Sequence, residues 1–181
     1  MLSGVTMRIR GLNFHDQGEV NTVAAFSLMT LLESLPEARR APDSIPNFSI
    51  DSMASMYLSE RHNPDHRYWV VDAGDGLLVG HAIGLIRTDD DGVRHGYSYT
   101  RYVLPRYRRR GIARRLLQHA KAWWHAQDVA YVLAHTHPSN TPLLHLFASE
   151  GFSVAETRAG PWPSLLLRCP RLEAAPDGII S

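Results

Sequence analysis

Apolar and polar positions along this chain recur with two periods, two residues and about 3.6, and the switches between them mark the elements. Val5 to Leu12 alternates residue by residue and predicts a first strand. Asp16 then caps a helix running through Glu33, whose Val20, Val23, Ala24, Ser27, Leu28 and Leu31 form one stripe. The stretch PEARRAPDSIPNFSI carries three prolines in fifteen residues and reads as loop. A shorter helix fits Asp51 to Arg61, with Met53, Met56, Tyr57 and Leu58 on one side. Three strand-like runs follow, Arg67 to Asp72, Gly76 to Arg87 and Gly96 to Leu104, joined by the turns AGDG and DDDG. The triple aspartate reads as a solvated turn, since no further acidic ligands cluster near it.

The strongest helical pattern spans Gly111 to Gln127. Ile112, Ala113, Leu116, Leu117, Ala120, Trp123 and Trp124 recur at three- and four-residue steps and make a broad apolar face. Ala130 to Ala134 is a strand, Thr141 to Glu150 a short helix, and Gly151 to Thr157 and Ser164 to Arg168 are the last strands. The order β-α-α-β-β-β-α-β-α-β-β puts an antiparallel meander before a βαβ unit, an α/β (α+β) class.

Composition narrows the field only slightly. With 181 residues, 44% apolar and 20% charged, the chain has the make-up of one globular domain. We assign that domain to residues 1–169 and read 170–181 as a loosely held tail. Nineteen basic and eighteen acidic residues nearly balance, which argues against a surface committed to polyanions. The single cysteine, Cys169, excludes an intrachain disulfide and a four-cysteine metal site, and no metal is expected. No apolar run reaches signal-peptide or membrane-spanning form, so a soluble cytoplasmic protein without membrane contacts is expected.

Against that balance, RYRRRGIARR (Arg106 to Arg115) concentrates six arginines around Gly111. It follows a strand that ends at Pro105 and it opens the long amphipathic helix. The first amides of a helix have no intrahelical acceptor, and the dipole adds partial positive charge there. Small residues such as Gly111 and Ala113 let an anion approach those amides, and a pyrophosphate is the natural guest. A nucleic-acid arm is the rival reading, but the run lacks the interleaved aromatic platform of a single-strand binder. No nucleic-acid partner is expected.

Arg108-Arg109-Arg110-Gly111-Ile112-Ala113 resembles the Q/R-x-x-G-x-G/A motif of the GNAT superfamily of acetyl-CoA-dependent N-acetyltransferases. The preceding Val103-Leu104-Pro105, the Tyr107-Arg108 pair, and downstream Asn140, Leu146 and Glu150-Gly151-Phe152 extend the resemblance from about Tyr97 to Phe152. It implies a central mixed, mostly antiparallel sheet of six to seven strands, flanked by about four helices and splayed between the fourth and fifth strands. It also implies acetyl-CoA as cofactor, a small-molecule or peptide amine as acceptor, and a homodimer as one common assembly.

The resemblance implies roles as well. The backbone of Val103 and Leu104 would hold the pantetheine arm, and the amide of one of them would bind the oxyanion. The amides from Arg109 to Arg114, through Arg110, Gly111, Ile112 and Ala113, would hold the pyrophosphate, with Arg108 and Arg114 as side-chain partners. Arg106 and Arg115 are read as surface charge. Asn140 would contact the arm near its sulfur. Phe147 falls where the family places a tyrosine that protonates the departing thiolate, and phenylalanine has no proton to give. That departure keeps open a second function, a catalytically weak acyl-CoA sensor on the same fold.

The strand GYSYTRYV offers Tyr97, Tyr99, Thr100 and Tyr102 but no carboxylate for a general base. The next strand ends in AHTHPSN, so His135 and His137 are the candidates to take the amine proton. Pro36 to Ile50 and the helix after it are expected to line the acceptor site.

Overall fold

The computed structural model describes residues 7–35 and 48–170. The expected loop at 36–47, the start of the first strand and the tail after Pro170 lie outside the described residues. Seven strands and four helices follow in chain order: β1 (Arg8–Gly11), α1 (Gln17–Ser34), α2 (Ile50–Ser59), β2 (His66–Asp72), β3 (Leu78–Thr88), β4 (Arg94–Val103), α3 (Ile112–Ala126), β5 (Val132–Thr136), α4 (Thr141–Ser149), β6 (Ser153–Arg158) and β7 (Ser164–Cys169). A 3-10 turn, Pro105–Tyr107, joins β4 to the loop before α3. The strands form one sheet in the order β1-β2-β3-β4-β5-β7-β6.

Element identities agree with the periodicities, while ends move by a few residues. Asp16 caps α1 as expected, accepting from the amides of Gly18 and Glu19. The second helix starts earlier than Asp51, because Ser49 and Ser52 form a reciprocal capping box. The fifth strand runs Val132–Thr136 rather than Ala130 to Ala134, with Ala130 before it donating its N–H to the Arg94 carbonyl at the start of β4.

The helices cover both faces of the sheet. On one face, Val20, Val23 and Phe26 of α1 and Met53 and Tyr57 of α2 pack on Tyr68, Val70, Ile83 and Tyr102. On the other, Leu117 and Trp124 of α3 and Phe147 of α4 pack on Ile86, Val132, Ala134 and Leu167. Ile112 and Leu116 of α3 meet Val79, Ala82 and Val103. Two strand glycines make room for the fully buried Trp124, whose indole N–H donates to the Leu85 carbonyl at 3.0 Å. A Cβ on Gly96 would lie within 2.8–2.9 Å of the Trp124 ring, so only glycine fits beneath it.

Two irregularities in β4 position the site. Ile83 pairs with Thr100 and Gly84 with Ser98, so Tyr99 is an extra residue, a β-bulge. On its other edge β4 runs parallel to β5, and pairing covers only Gly96↔Val132, Tyr97↔Leu133 and Ser98↔Ala134. Past Ser98 the strands part, as the resemblance implies for the fourth and fifth strands, and β4 continues to Val103 with an open edge.

Candidate active site

The wedge between β4 and β5 opens into a cavity of about 290 Å³. Tyr97, Ser98, Tyr99 and Arg101 line it from β4; His135, His137 and Asn140 come from the end of β5 and the start of α4. Thr30, Leu31 and Ser34 of α1, Phe147 of α4 and Trp162 of the β6–β7 connection complete the wall. No residue of α2 lines it, so α1 and the β6–β7 connection take the place expected of the second helix. Among the described residues the lining contains no aspartate or glutamate.

The two histidines differ in what their rings do. His135 Nδ1 lies 3.1 Å from the Tyr97 hydroxyl. Burial, and then the charges of Arg158 and Arg87, lower its pKa below the ordinary histidine value, with a smaller opposing effect from Glu156. Tyr97 has its own pKa raised, chiefly by burial, and stays a neutral phenol. If its hydroxyl oxygen accepts from His135 Nδ1–H, the lone pair of the imidazole is on Nε2. His137 is fixed the other way: Nδ1 accepts from the Ser139 amide at 3.1 Å, which places the ring proton on Nε2. That Nε2 is buried and has no partner among the described residues.

Arg101 was not among the residues picked out from sequence. Its guanidinium lies 4.6 Å above the Phe147 ring. Nη2 donates to Ser98 Oγ at 2.5 Å, while Nε and Nη1 are buried without partners among the described residues. The available signal was an arginine within an otherwise tyrosine- and threonine-rich central strand, where charge is costly to bury. Phe147 is 1% exposed and meets Phe152 edge-to-face at 4.6 Å, so its position is filled by apolar packing.

The backbone at the end of β4 separates the two amides proposed for the oxyanion. Leu104 N–H donates to the Val79 carbonyl at 2.9 Å and is committed to the sheet. The same bond makes Val103 and Gly80 a non-hydrogen-bonded pair, so the Val103 amide and carbonyl point to the open edge. Arg108 Nε donates to that carbonyl at 2.9 Å. The Arg101 carbonyl, two residues back on the same edge, accepts from Thr30 Oγ1 at 2.9 Å.

The arginine run divides by partner. Arg108 pairs with Glu33 of α1 at 2.8 Å, and Arg114 reaches Glu150 at 3.4 Å and Ser149 Oγ at 3.0 Å. Both arginines expected to serve phosphates by side chain are therefore engaged by neighbouring oxygen acceptors, Glu33 and the Glu150–Ser149 pair. Arg109 has no ion pair among the described residues, and Arg110 sits over the Tyr107 ring at 5.3 Å. Arg106 and Arg115 are exposed. Gly111, at φ +74°, is the residue before α3 and makes no side-chain cap. No atom lies within 4 Å of where its Cβ would be, and the first helical bond is Arg115 N–H to the Gly111 carbonyl. The amides of Gly111, Ile112, Ala113 and Arg114 thus precede the intrahelical ladder, open to an anion. Val103, Leu104 and this loop lie outside the cavity lining, further along the same strand.

Comparison with known proteins bears on the fold and the family. Solved structures with the same fold include an acetyltransferase of the GNAT family from Streptococcus pneumoniae, at 15% identity and TM-score 0.67 over 90% of this chain and 98% of that one. The PaiA N-acetyltransferase from Thermoplasma acidophilum, in complex with coenzyme A, matches at 17% identity and TM-score 0.68, over 92% and 99% of the two chains. Spermidine N-acetyltransferase from Vibrio cholerae, in complex with CoA and spermine, matches at 15% and 0.65, over 90% and 94%. The acetyltransferase (GNAT) family matches residues 29–152, from α1 through the wedge, the arginine loop and the Glu150-Gly151-Phe152 corner, and the chain belongs to that family.

Proposed function

We propose that this protein transfers an acetyl group from acetyl-CoA to a primary amine of a small molecule or peptide, by direct attack within a ternary complex. The observation that carries this reading is the unpaired edge of β4 beyond Ser98, with open α3 amides after its end and a cavity where β5 leaves it. The residues present fit the cofactor. A left-handed Gly111 with empty space at its Cβ position and amides free of intrahelical acceptors suit a pyrophosphate.

When bound, acetyl-CoA supplies an activated acyl carbon. The amides from Arg109 to Arg114, with the Arg109 side chain, would hold its phosphates. The Val103 amide is the open-edge donor for a carbonyl oxygen as it gains charge, a role that Leu104 N–H, bonded to Val79, does not share. Asn140, whose side chain makes no cap bond to α4, is available to the arm. His135 takes the amine proton at Nε2 while Tyr97 holds its other nitrogen; a lowered pKa keeps it neutral and ready to accept. His137 presents a proton rather than a lone pair.

A cavity with a guanidinium and no carboxylate among its described residues disfavours a polycation. We therefore expect neutral or anionic amines to be better acceptors than polyamines. Saturation with acetyl-CoA at about a hundred times Kd should raise the melting temperature by roughly 5–10 °C. Thiol release should then appear with monoamines before spermidine. No thermal shift would sink the reading. Binding without turnover on a broad amine panel would favour the acyl-CoA sensor instead, which the apolar burial of Phe147 motivates.

A further inference from the structure

Arg101 occupies the middle of the open edge of β4, and its surroundings leave it an incomplete ion. A guanidinium removed from water is unfavourable unless an anion or a full set of acceptors replaces the solvent. Among the described residues Ser98 Oγ is the side chain's one acceptor, and Nε and Nη1 are buried without any. Burial lowers its pKa to about 10, which leaves it charged at neutral pH. The titratable neighbours lining the same cavity are Tyr97 and Tyr99 of β4, His135 of β5 and His137 beyond it. None is a carboxylate. From α4 the Phe147 ring lies against the guanidinium and keeps water away; from α1 come Thr30 and Ser34, neither ionisable. His137 Nε2 is a second buried donor without a partner.

A buried cation with no anionic partner among the described residues is matched to an anion that is present only part of the time. Acyl transfer creates such an anion. The amine nitrogen donates its lone pair to the acyl carbon and forms the C–N bond. The C–S bond breaks, and its electron pair leaves on sulfur as a thiolate. The ammonium proton goes to His135. Phe147, facing this point, has no proton to offer. We propose that Arg101 is a catalytic residue whose guanidinium receives the departing thiolate; this rests on the acetyl-transfer reading above. Arg101 keeps its own proton throughout and donates from Nε and Nη1 to the sulfur; on release the thiolate takes a proton from water, and His135 returns the amine proton to the hydroxide so formed. A cation interacts more strongly with the thiolate than with the neutral thioester, and this difference lowers the barrier.

The test is the ionisation of coenzyme A bound to the full-length protein, read by the ultraviolet absorbance of the thiolate during a pH titration. The reference is free coenzyme A titrated alone under the same conditions. In the wild type the bound thiol should ionise about one to two pH units lower. Arg101→Met should return it to the free value, and Arg101→Lys should recover part of the difference. Turnover should fall roughly a hundredfold in Arg101→Met, with the KM for the amine little changed and partial rescue by Arg101→Lys. Desulfo-coenzyme A should bind wild type and Arg101→Met alike, which also establishes that the variant is folded. Identical thiol ionisation in wild type and Arg101→Met overturns the proposal. So does a raised KM for carboxylate-bearing amines with the thiol unaffected, which would make Arg101 an anchor for the acceptor. If coenzyme A does not bind the wild type at all, the acetyl-transfer reading fails with it.

Discussion

Two histidines two residues apart, equivalent in the sequence, are chemically distinct once their ring nitrogens are accounted for. His137 spends its acceptor nitrogen on the Ser139 amide, whereas His135 has Tyr97 at one nitrogen and keeps the other free. A general base must be neutral to act, so activity is lost as pH falls through its pKa. Because burial and the Arg158 and Arg87 charges lower that of His135, the acid limb of kcat/KM should lie below the ordinary histidine value of about 6.5. His135→Gln should remove this limb and cut kcat by roughly 10²- to 10⁴-fold. His137→Gln should retain the limb. An unaltered pH profile in His135→Gln would transfer the base role elsewhere. The residue type and the strand-end position were legible in AHTHPSN. The division of labour was not, because it depends on Tyr97 arriving from a strand 38 positions earlier.

At the scale of elements, β4 connects the wedge to the start of α3. The β-bulge at Tyr99 and the parting after Ser98 give β4 its free edge, and Pro105 turns the chain towards α3. Arg109 (φ +63°) and Gly111 (φ +74°) both place the arginine loop in the left-handed region, and a side chain added at Gly111 costs about 1 kcal/mol in strain. Since no atom lies near its Cβ position, that loss is conformational and not steric. Gly111→Ala should therefore lower stability by about 1 kcal/mol in urea unfolding and weaken coenzyme A binding at least tenfold, measured by calorimetry. Unchanged binding would remove the pyrophosphate from this loop. The motif and its strand–loop–helix setting were readable directly from periodicity and glycine placement. The fates of Arg108 and Arg114 were not, since Glu33, 75 positions from Arg108, and Ser149, 35 from Arg114, claim them through folding.

For the whole molecule, the sheet is clamped from the α1 side by a buried polar cluster. His81 of β3 lies 3.1 Å from Ser27 Oγ and 3.0 Å from Thr100 Oγ1, with Phe26 stacked at 5.9 Å. Burial, with a smaller push from Arg101, drives the imidazole down to about 3. Its folded value lies below the unfolded one, so the unfolded chain takes a proton between about 6.5 and 3 that the folded chain refuses. Stability is full above that window and falls as pH drops through it, by up to about 1.4 kcal/mol per pH unit from this group. The urea midpoint should decline from pH 6.5 to 4 more steeply in wild type than in His81→Gln, by a slope difference of this order. Parallel declines would show that His81 can be protonated in the folded state.

The sequence by itself determined the elements, their order and the glycine loop proposed for phosphate, because each depends on near neighbours: apolar period, cap residues, and glycine placed before a helix. It also exposed the departure at Phe147, a one-letter observation. The tertiary structure alone decided which charges are satisfied. Arg108 and Arg114 look equivalent to Arg109 in the run but find acceptors across the fold, while Arg101, an unremarked letter in a strand, is left buried and incomplete beside Phe147. Charge satisfaction is a long-range property. It is set by what the sheet and helices bring within hydrogen-bond reach, and it adds a proposed catalytic end to a glycine loop legible in the sequence.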